Sequence, residues 1–271
     1  MKLKRKLYIE LIYLILLGAL TSLSLPPFNY FVINFLTLSL FYIYLIKKFE
    51  SCKNKKIFLL YGWSFGFGYF VSNLHWISIS LTFDESFMFL IPFTVIIIPG
   101  FLALFYALVA YLFVVLKPKK KLSSFFLFSL IFGIVEFIRG SIFTGFPWNL
   151  IAYSFSNQLE ILNIISIIGT YSFNLFCISL FISPTIFILR DNKKDIIICI
   201  AFLITTMSFY VFGSQNLEKF NKEKVINLDY KIRIVNSNIS IDRFYNLIDP
   251  VSAIEELIEI SSPKKNEKII F

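Results

Sequence analysis

Residues 136–153 read EFIRGSIFTGFPWNLIAY, and this stretch interrupts a series of apolar segments with charge, glycine, proline and tryptophan. Glu136 lies one helical turn before Arg139, so a helix that ends near Arg139 would carry the two opposite charges on one face. Gly145 and Pro147 are poorly accommodated inside a helix and indicate a turn after it. The stretch therefore predicts a charged helix end near a membrane edge, followed by an irregular segment.

Two aromatic residues, Phe146 and Trp148, flank the proline of this segment. Aromatic rings in such positions prefer the headgroup level of a bilayer. The segment is therefore either a loop with an interfacial anchor or a functional site, because charges within membrane segments are functional by default. The candidate substrate-binding residues are Glu136, Arg139, Phe146, Pro147 and Trp148.

The composition places this stretch in a membrane protein. Hydrophobic residues make up 57% of the chain, with 34 Phe and a mean hydropathy of +0.76. Soluble domains contain roughly 45–50% apolar residues. A helix needs about 20 apolar residues to cross the hydrocarbon core. About seven stretches meet this requirement, at residues 8–25, 28–46, 57–81, 87–116, 122–139, 160–189 and 195–213. The predicted fold class is an α-helical polytopic membrane protein over residues 1–213.

Basic residues occupy every second connection between these stretches. They lie in the N-terminal arm and at 47–56, 117–121 and 190–194, whereas the alternate connections before residue 214 hold only Arg139. Basic loops stay in the cytoplasm, so the N-terminus is predicted to be cytoplasmic and the tail periplasmic. The first stretch is followed by no small-residue cleavage site, and we interpret it as a span rather than a signal peptide. The net charge of +9 is a topology signal, and no nucleic acid is predicted as a partner.

Glycine and proline mark packing positions and bends. Gly62, Gly66 and Gly68 recur in YGWSFGFG within the third stretch. Small residues four positions apart let a neighbouring helix approach closely, so we interpret them as packing positions rather than ligand contacts. Gly169 and Pro184 indicate bends in the stretch at 160–189.

Few other side chains suggest chemistry. The lone His75 is expected to be an interfacial or helix-bonded residue rather than a catalytic base. Cys177 and Cys199 fall inside apolar stretches, where a thiol is a poor nucleophile, and Cys52 lies in a basic connection. The Cys and His residues have no metal-binding spacing, and no cofactor is predicted.

From residue 214 the composition changes to that of a soluble domain. Residues 231–236 alternate apolar and polar as a strand does, and 268–271 begin another apolar strand. Between them, Asp249 and Pro250 indicate the start of a helix. This order is the start of an α/β layer, but two strands and one helix cannot cover both faces of a parallel sheet. We therefore predict that 214–271 is the incomplete N-terminal part of a second domain.

Four parts of the chain resemble apolipoprotein N-acyltransferases, in the same order and topology and over essentially the whole length. They are FGFGYFVSNLHWISIS at 65–80, EFIRG with FTGFPWNLIAYSFSN at 136–157, IGTYSFNLF at 168–176 and IRIVNSNIS at 232–240. The resemblance implies a bacterial inner-membrane enzyme of lipoprotein maturation.

Several expectations follow from this resemblance. Members of the family take an acyl chain from a phospholipid, hold it as a thioester on cysteine, and pass it to the free amino group of a diacylated lipoprotein. A periplasmic nitrilase-like α/β domain supplies their Glu-Lys-Cys triad. The aromatic segment at Phe146, Pro147 and Trp148 would line lipid entry, with Glu136 and Arg139 shaping its floor or fixing the helix end.

The catalytic residues that the resemblance implies are not matched in this chain. The family's catalytic Glu follows the strand that here ends at Phe271, whereas Glu267 precedes it, and none of the three cysteines matches the catalytic one. No catalytic residue is therefore assigned. We expect a truncated, split or decayed chain that is inactive alone, with a separately encoded catalytic half as one partner it would need.

Two other functions stay open. One is a membrane domain related to that of polyprenyl-phosphomannose synthases, which would need a glycosyltransferase partner domain. The other is a non-catalytic transporter or scaffold that uses Glu136 and Arg139 in a pathway. Inverted repeats would favour a transporter, and the sequence shows no convincing repeat.

Overall fold

The computed structural model describes residues 2–143, 145–223 and 249–262, which are mostly helical and contain no strand. The chain divides into two compact units, Met1–Lys222 and Glu223–Phe271. The α-helices of the first unit are α1 (Lys2–Ser22), α2 (Ile33–Ser51), α3 (Ile57–Leu74), α4 (Ile91–Leu116), α5 (Lys121–Ser141), α6 (Leu159–Leu162), α7 (Ile165–Ile168), α8 (Thr170–Ile182), α9 (Thr185–Leu189) and α10 (Ile196–Lys222). Short 3₁₀ segments lie at His75–Phe83, Glu85–Leu90, Ile151–Phe155 and Lys193–Asp195.

Three helical segments of the described residues are long and apolar enough to cross a membrane. They are Glu85–Leu116, with a mean hydropathy of 2.5, Lys121–Ser141, with 1.8, and Lys193–Lys222, with 2.3. They overlap the spans predicted at 87–116, 122–139 and 195–213. The other predicted spans coincide with shorter, more charged or less apolar helices, and their crossing of a membrane stays a prediction.

The glycines of α3 bring it close to both α1 and α4. A Cβ atom on Gly68 would overlap the backbone carbonyl of Ile15 in α1, and one on Gly62 would overlap that of Tyr106 in α4. A Cβ atom on Gly66 would lie 2.8 Å from the Cβ atom of Tyr106. The predicted packing role of these glycines is confirmed, because any side chain would push the helices apart.

Aromatic rings fill the centre where α2, α3, α4 and α5 meet. Phe41 of α2 stacks on Phe65 of α3, with ring centroids 4.1 Å apart and planes inclined by 8°. Tyr106 of α4 meets Phe132 of α5 edge to face at 4.8 Å. Since lipid is as apolar as these side chains, dispersion and close packing hold such a bundle together more than the hydrophobic effect does.

The third predicted span is an α-helix only as far as Leu74. The following residues, His75–Phe83, form 3₁₀ turns in which the hydroxyls of Ser78 and Thr82 donate to the carbonyls three residues earlier, at 2.6 and 2.7 Å. Hydroxyl and β-branched side chains disfavour the α-helix, which accounts for the change of backbone here.

The stretch predicted as one span at 160–189 is divided into α6, α7, α8 and α9. Gly169 has a left-handed φ of 78° between α7 and α8, and Pro184 immediately precedes α9. The bends predicted at these two residues are confirmed, and a further break separates α6 from α7. Composition alone could not reveal this additional break, because all four helices are apolar.

The last helix of the first unit, α10, continues past residue 213, where we expected the membrane domain to end. Gly213 lies so close to the backbone carbonyl of Glu160 in α6 that no side chain would fit between them. Asn216 donates a hydrogen bond of 2.8 Å from its amide to the side-chain oxygen of Asn163. The continuation of α10 is therefore packed on the α6–α7 region.

The described part of the second unit is a single helix, α11 (Pro250–Ser261). The Asp249 carboxylate accepts a hydrogen bond from the backbone N–H of Val251 at 3.2 Å, so the predicted helix start is confirmed. The strands predicted at 231–236 and 268–271 lie outside the described residues.

Candidate functional site

The predicted ion pair lies at the end of α5 and is sealed from solvent. Glu136 is 0% exposed and Arg139 is 1% exposed. The guanidinium meets the carboxylate with two parallel bonds, 3.0 Å from Nε to Oε1 and 2.7 Å from Nη2 to Oε2. The shared helix face is confirmed, and both side chains are buried within the protein.

Arg139 also holds the segment that follows the helix. Its Nη1 donates to the backbone carbonyls of Phe146 at 2.7 Å and Trp148 at 3.0 Å. The backbone N–H of Phe146 donates in turn to the carbonyl of Arg139 at 3.1 Å. Hydrogen bonds from a charged donor are roughly twice as strong as neutral ones. One side chain thus fixes both the helix end and the loop.

Three of the described residues in the loop have left-handed backbone angles. Gly145 has a φ of 81°, and a Cβ atom there would lie 2.5 Å from the carbonyl oxygen of Gly140. Phe143 and Asn149 also adopt left-handed φ angles, of 53° and 58°. A bulky residue such as Phe143 rarely adopts this conformation, which is typical of strained functional segments.

Residues of α3 complete the site from the other side. The Tyr69 hydroxyl donates a hydrogen bond of 2.8 Å to the backbone carbonyl of Asn149. The Phe70 ring lies beneath the guanidinium, with its centroid 5.3 Å from the Cζ atom of Arg139. Two neighbouring side chains of α3 therefore support the loop and the cation that holds it.

The backbone fixed in this way presents Trp148 at the surface. Trp148 is 52% exposed and stacks on Trp76, which is 42% exposed, with ring centroids 5.2 Å apart and planes inclined by 16°. Phe146 is partly buried and lies 6.0 Å from Trp148, and Pro147 is exposed. The structure therefore brings all five predicted site residues together around one loop.

Sequence reasoning did not assign Trp76, Tyr69 or Phe70 to this site. All three lie in residues 65–80, a part of the chain that resembles the family. The sequence alone did not indicate that these residues contact the GFPW segment. Trp76 reaches Trp148 because α3 ends at Leu74 and continues as 3₁₀ turns. One signal could have located Trp76: it is a second tryptophan, besides Trp148, near the end of a predicted span.

The arrangement suits binding better than covalent chemistry. The carboxylate of Glu136 and the guanidinium of Arg139 are committed to each other and to the loop. Cys177 is buried within α8, and the His75 ring nitrogen Nδ1 lies 3.0 Å from the carbonyl of Ser72 in its own chain segment, as expected for a helix-bonded residue. Within the described ranges, three or more potential metal ligands do not come together at any point.

The residues of this site lie in a region that matches a known protein family. The family model described as the apolipoprotein N-acyltransferase N-terminal domain matches residues 17–183, which include the whole loop and its supporting residues. The chain is 29% identical over 262 residues to an apolipoprotein N-acyltransferase of Rhodopseudomonas palustris, covering 94% of this chain and 48% of the relative.

Two further apolipoprotein N-acyltransferases show similar agreement. The Rickettsia prowazekii protein is 30% identical over 239 residues, covering 86% of this chain and 45% of the relative. The Brucella melitensis protein is 34% identical over 176 residues, covering 62% of this chain and 33% of the relative. The chain thus spans about half the length, or less, of the curated relatives it matches.

Proposed function

This chain belongs to the apolipoprotein N-acyltransferase family, and from that premise we propose that it supplies the membrane part of an enzyme of lipoprotein maturation. The reaction would transfer an acyl chain from a phospholipid to the amino group of a diacylglyceryl-cysteine lipoprotein. The observation that carries the proposal is that the family match at 17–183 contains a loop held by hydrogen bonds from Arg139 and Tyr69, with an exposed aromatic surface.

We propose that Phe146, Pro147 and Trp148 border the path by which a lipid acyl chain reaches the reaction centre. A stacked pair of exposed indoles gives a flat apolar surface with polar edges, which suits the boundary between acyl chains and headgroups. In this role Glu136 and Arg139 act as positioning residues, because their hydrogen bonds fix the backbone on which Trp148 is carried.

The proposed setting is the bacterial inner membrane, with about seven spans, a cytoplasmic N-terminus and a periplasmic tail. The alternation of basic connections supports this orientation, and the three long apolar segments support the membrane location. Because α10 continues to Lys222, the residues from Glu223 onward would begin a nitrilase-like domain on the periplasmic side, next to the membrane surface where both lipid substrates are found.

The covalent step would depend on the Glu-Lys-Cys triad of such a domain, carried in the same polypeptide or by a separately encoded catalytic half. Acyl transfer through a thioester needs a thiolate, a base and a cationic neighbour. Cys177 and Cys199 lie buried among apolar helices, which is unfavourable for a thiolate. We therefore expect residues 1–271 alone to bind lipid and to perform no acyl transfer.

The transporter hypothesis receives less support from the site. A pathway residue would present a charged atom to a water-filled space, whereas Glu136 and Arg139 are fully buried and paired. The three relatives named above are all apolipoprotein N-acyltransferases, which favours that family over a polyprenyl-phosphomannose synthase domain.

Photolabelling tests the lipid path directly. The full chain is reconstituted with a phospholipid that carries a diazirine near the end of one acyl chain, and labelled peptides are mapped by mass spectrometry. Labelling should concentrate on the segment around Trp148, and Trp148→Ala should lower it about tenfold, the effect of losing about 1.4 kcal/mol of contact. The matched control is Phe187→Ala in α9, because Phe187 is 51% exposed and lies outside the site.

Equal labelling losses in the two variants would contradict the proposed path and favour general contact with lipid. In a complete enzyme that contains these residues, Trp148→Ala should also lower acyl transfer from phospholipid to a diacylated lipopeptide while protein yield is maintained. If yield fell and the activity per molecule were unchanged, Trp148 would be an interfacial anchor only.

A further inference from the structure

The basic connections of the first unit converge at one end of the helical bundle. Lys48 at the end of α2 pairs with Glu10 of α1, which joins the first two helices at this end. Lys121 at the start of α5 donates its backbone N–H to Asp191, in the basic connection before α10, at 2.7 Å. Its ammonium also lies 3.8 Å from the same carboxylate.

Two lysines from different connections meet at a single aromatic ring at this end. Phe49 lies in the last turn of α2 and is partly buried against the core. The ammonium of Lys117, just after α4, lies 4.6 Å from its ring centroid, and that of Lys55, just before α3, lies 6.0 Å from it. Both ammonium groups lie within 6.0 Å of the same centroid, and because lysine carries its charge on a flexible stem, one ligand beside the ring could contact both.

The charges of Lys55 and Lys117 are not neutralised. Lys48 and Lys121 are matched with Glu10 and Asp191, but Lys55 and Lys117 form no ion pair with any carboxylate of the described residues. A cation–π contact on its own offsets only about 0.5–1 kcal/mol at an exposed position. Each of the two lysines therefore keeps an uncompensated positive charge beside the ring.

We propose that Lys55, Lys117 and Phe49 form a binding site for the headgroup of an anionic phospholipid. The phosphodiester would accept hydrogen bonds from both ammonium groups, and the ring would contribute cation–π contacts to them. Clustered basic side chains at the ends of membrane helices recognise anionic lipid headgroups, at about 1 kcal/mol for each lysine.

The surroundings favour a lipid over free phosphate as the occupant. Lys117 directly follows the apolar segment Glu85–Leu116, whose last residue, Leu116, is exposed. Leu59 and Leu60, in the first turn of α3 after Lys55, are exposed as well. The acyl chains of a lipid held at the two lysines would extend along these apolar side chains, and free phosphate has no apolar group that could do so.

Native mass spectrometry of the full chain tests the site by lipid titration. Phosphatidylglycerol should bind more tightly than phosphatidylcholine, and Lys55→Gln with Lys117→Gln should weaken phosphatidylglycerol binding about thirtyfold. The matched control is Lys53→Gln with Lys119→Gln, which removes the same charge from exposed lysines in the same two connections. The control should bind nearly as tightly as the unaltered chain.

A second variant, Phe49→Leu, keeps the apolar bulk and removes the ring, and it should weaken binding about threefold. Equal weakening in both double variants would overturn the proposal in favour of diffuse charge. So would equal affinity of the unaltered chain for the two lipids. Displacement of phosphatidylglycerol by inorganic phosphate would instead identify a free-phosphate site and refute the lipid assignment.

Discussion

Replacement of Glu136 by glutamine should destabilise the helical unit severely. Glutamine keeps the volume of the side chain but leaves the guanidinium of Arg139 as a buried charge without its counter-ion. Breaking a buried pair in this way costs about 3–5 kcal/mol. The same substitution at Glu218, which pairs with Lys222 on the exposed surface of α10, should cost less than about 1 kcal/mol.

The assay is unfolding of the chain in mixed micelles by increasing SDS, followed by far-ultraviolet circular dichroism. The measured quantity is the free energy of unfolding of the Glu136→Gln and Glu218→Gln variants relative to the unaltered chain. If the two substitutions lowered it equally, the carboxylate of Glu136 would not be the buried counter-ion of Arg139, and the account of the site would be wrong.

A double variant separates the stability of the pair from its effect on the loop. Glu136→Leu with Arg139→Met leaves no buried charge and should recover most of the lost free energy of unfolding. The carbonyls of Trp148 and Phe146 would nevertheless lose their donor, so the loop should loosen. In a Trp63→Phe background, loosening should abolish the exciton-coupled circular dichroism of the two remaining indoles. A stable double variant that kept this signal would show that Arg139 does not position the loop.

Two glycine contacts give further predictions, each measured as the thermal unfolding midpoint in detergent. Gly68→Ala should destabilise the chain by about 1–3 kcal/mol because it forces α3 away from the Ile15 carbonyl. Gly100→Ala should be neutral or stabilising, because the added Cβ atom would lie 3.8 Å from its nearest neighbour, an atom of the Trp63 ring. An equal effect of the two would contradict the close packing. Gly140→Ala would place a Cβ atom 1.8 Å from the hydroxyl of Tyr171 and 2.8 Å from its Cζ atom, so adding Tyr171→Phe should relieve the destabilisation in part. Failure of that rescue would place the constraint elsewhere.

The charged helix end could be predicted because helical spacing alone places Glu136 and Arg139 on one face. Gly145 and Pro147 likewise predict an irregular segment from local chemistry. The bonds from Arg139 to the carbonyls of the loop could not be predicted in this way. They depend on left-handed backbone angles at Asn149 and Phe143, and neither residue type requires such an angle.

Contacts between residues that are distant in sequence could not be predicted either, for a different reason. Hydropathy locates apolar stretches, but it does not report whether an apolar stretch stays helical, so the 3₁₀ turns of His75–Phe83 were not anticipated. The stacking of Trp76 on Trp148 depends on those turns. The pairing of Lys55 and Lys117 over Phe49 was missed for a similar reason, since each lysine was interpreted only as a topology signal.

The energetics of the buried pair indicate why an arginine occupies this position. A buried ion pair contributes little net stability, and apolar residues of similar size often serve as well. Only the arginine fork can bind the Glu136 carboxylate and also reach two loop carbonyls, and those carbonyls would otherwise lack a donor in an apolar environment. The loop is irregular because Gly145 and Pro147 prevent a helix, and its irregular path is what exposes Trp148. The charge at Arg139 is therefore best explained by the need to hold an aromatic surface in one place within the membrane, rather than by the movement of ions or by the stability of the helix.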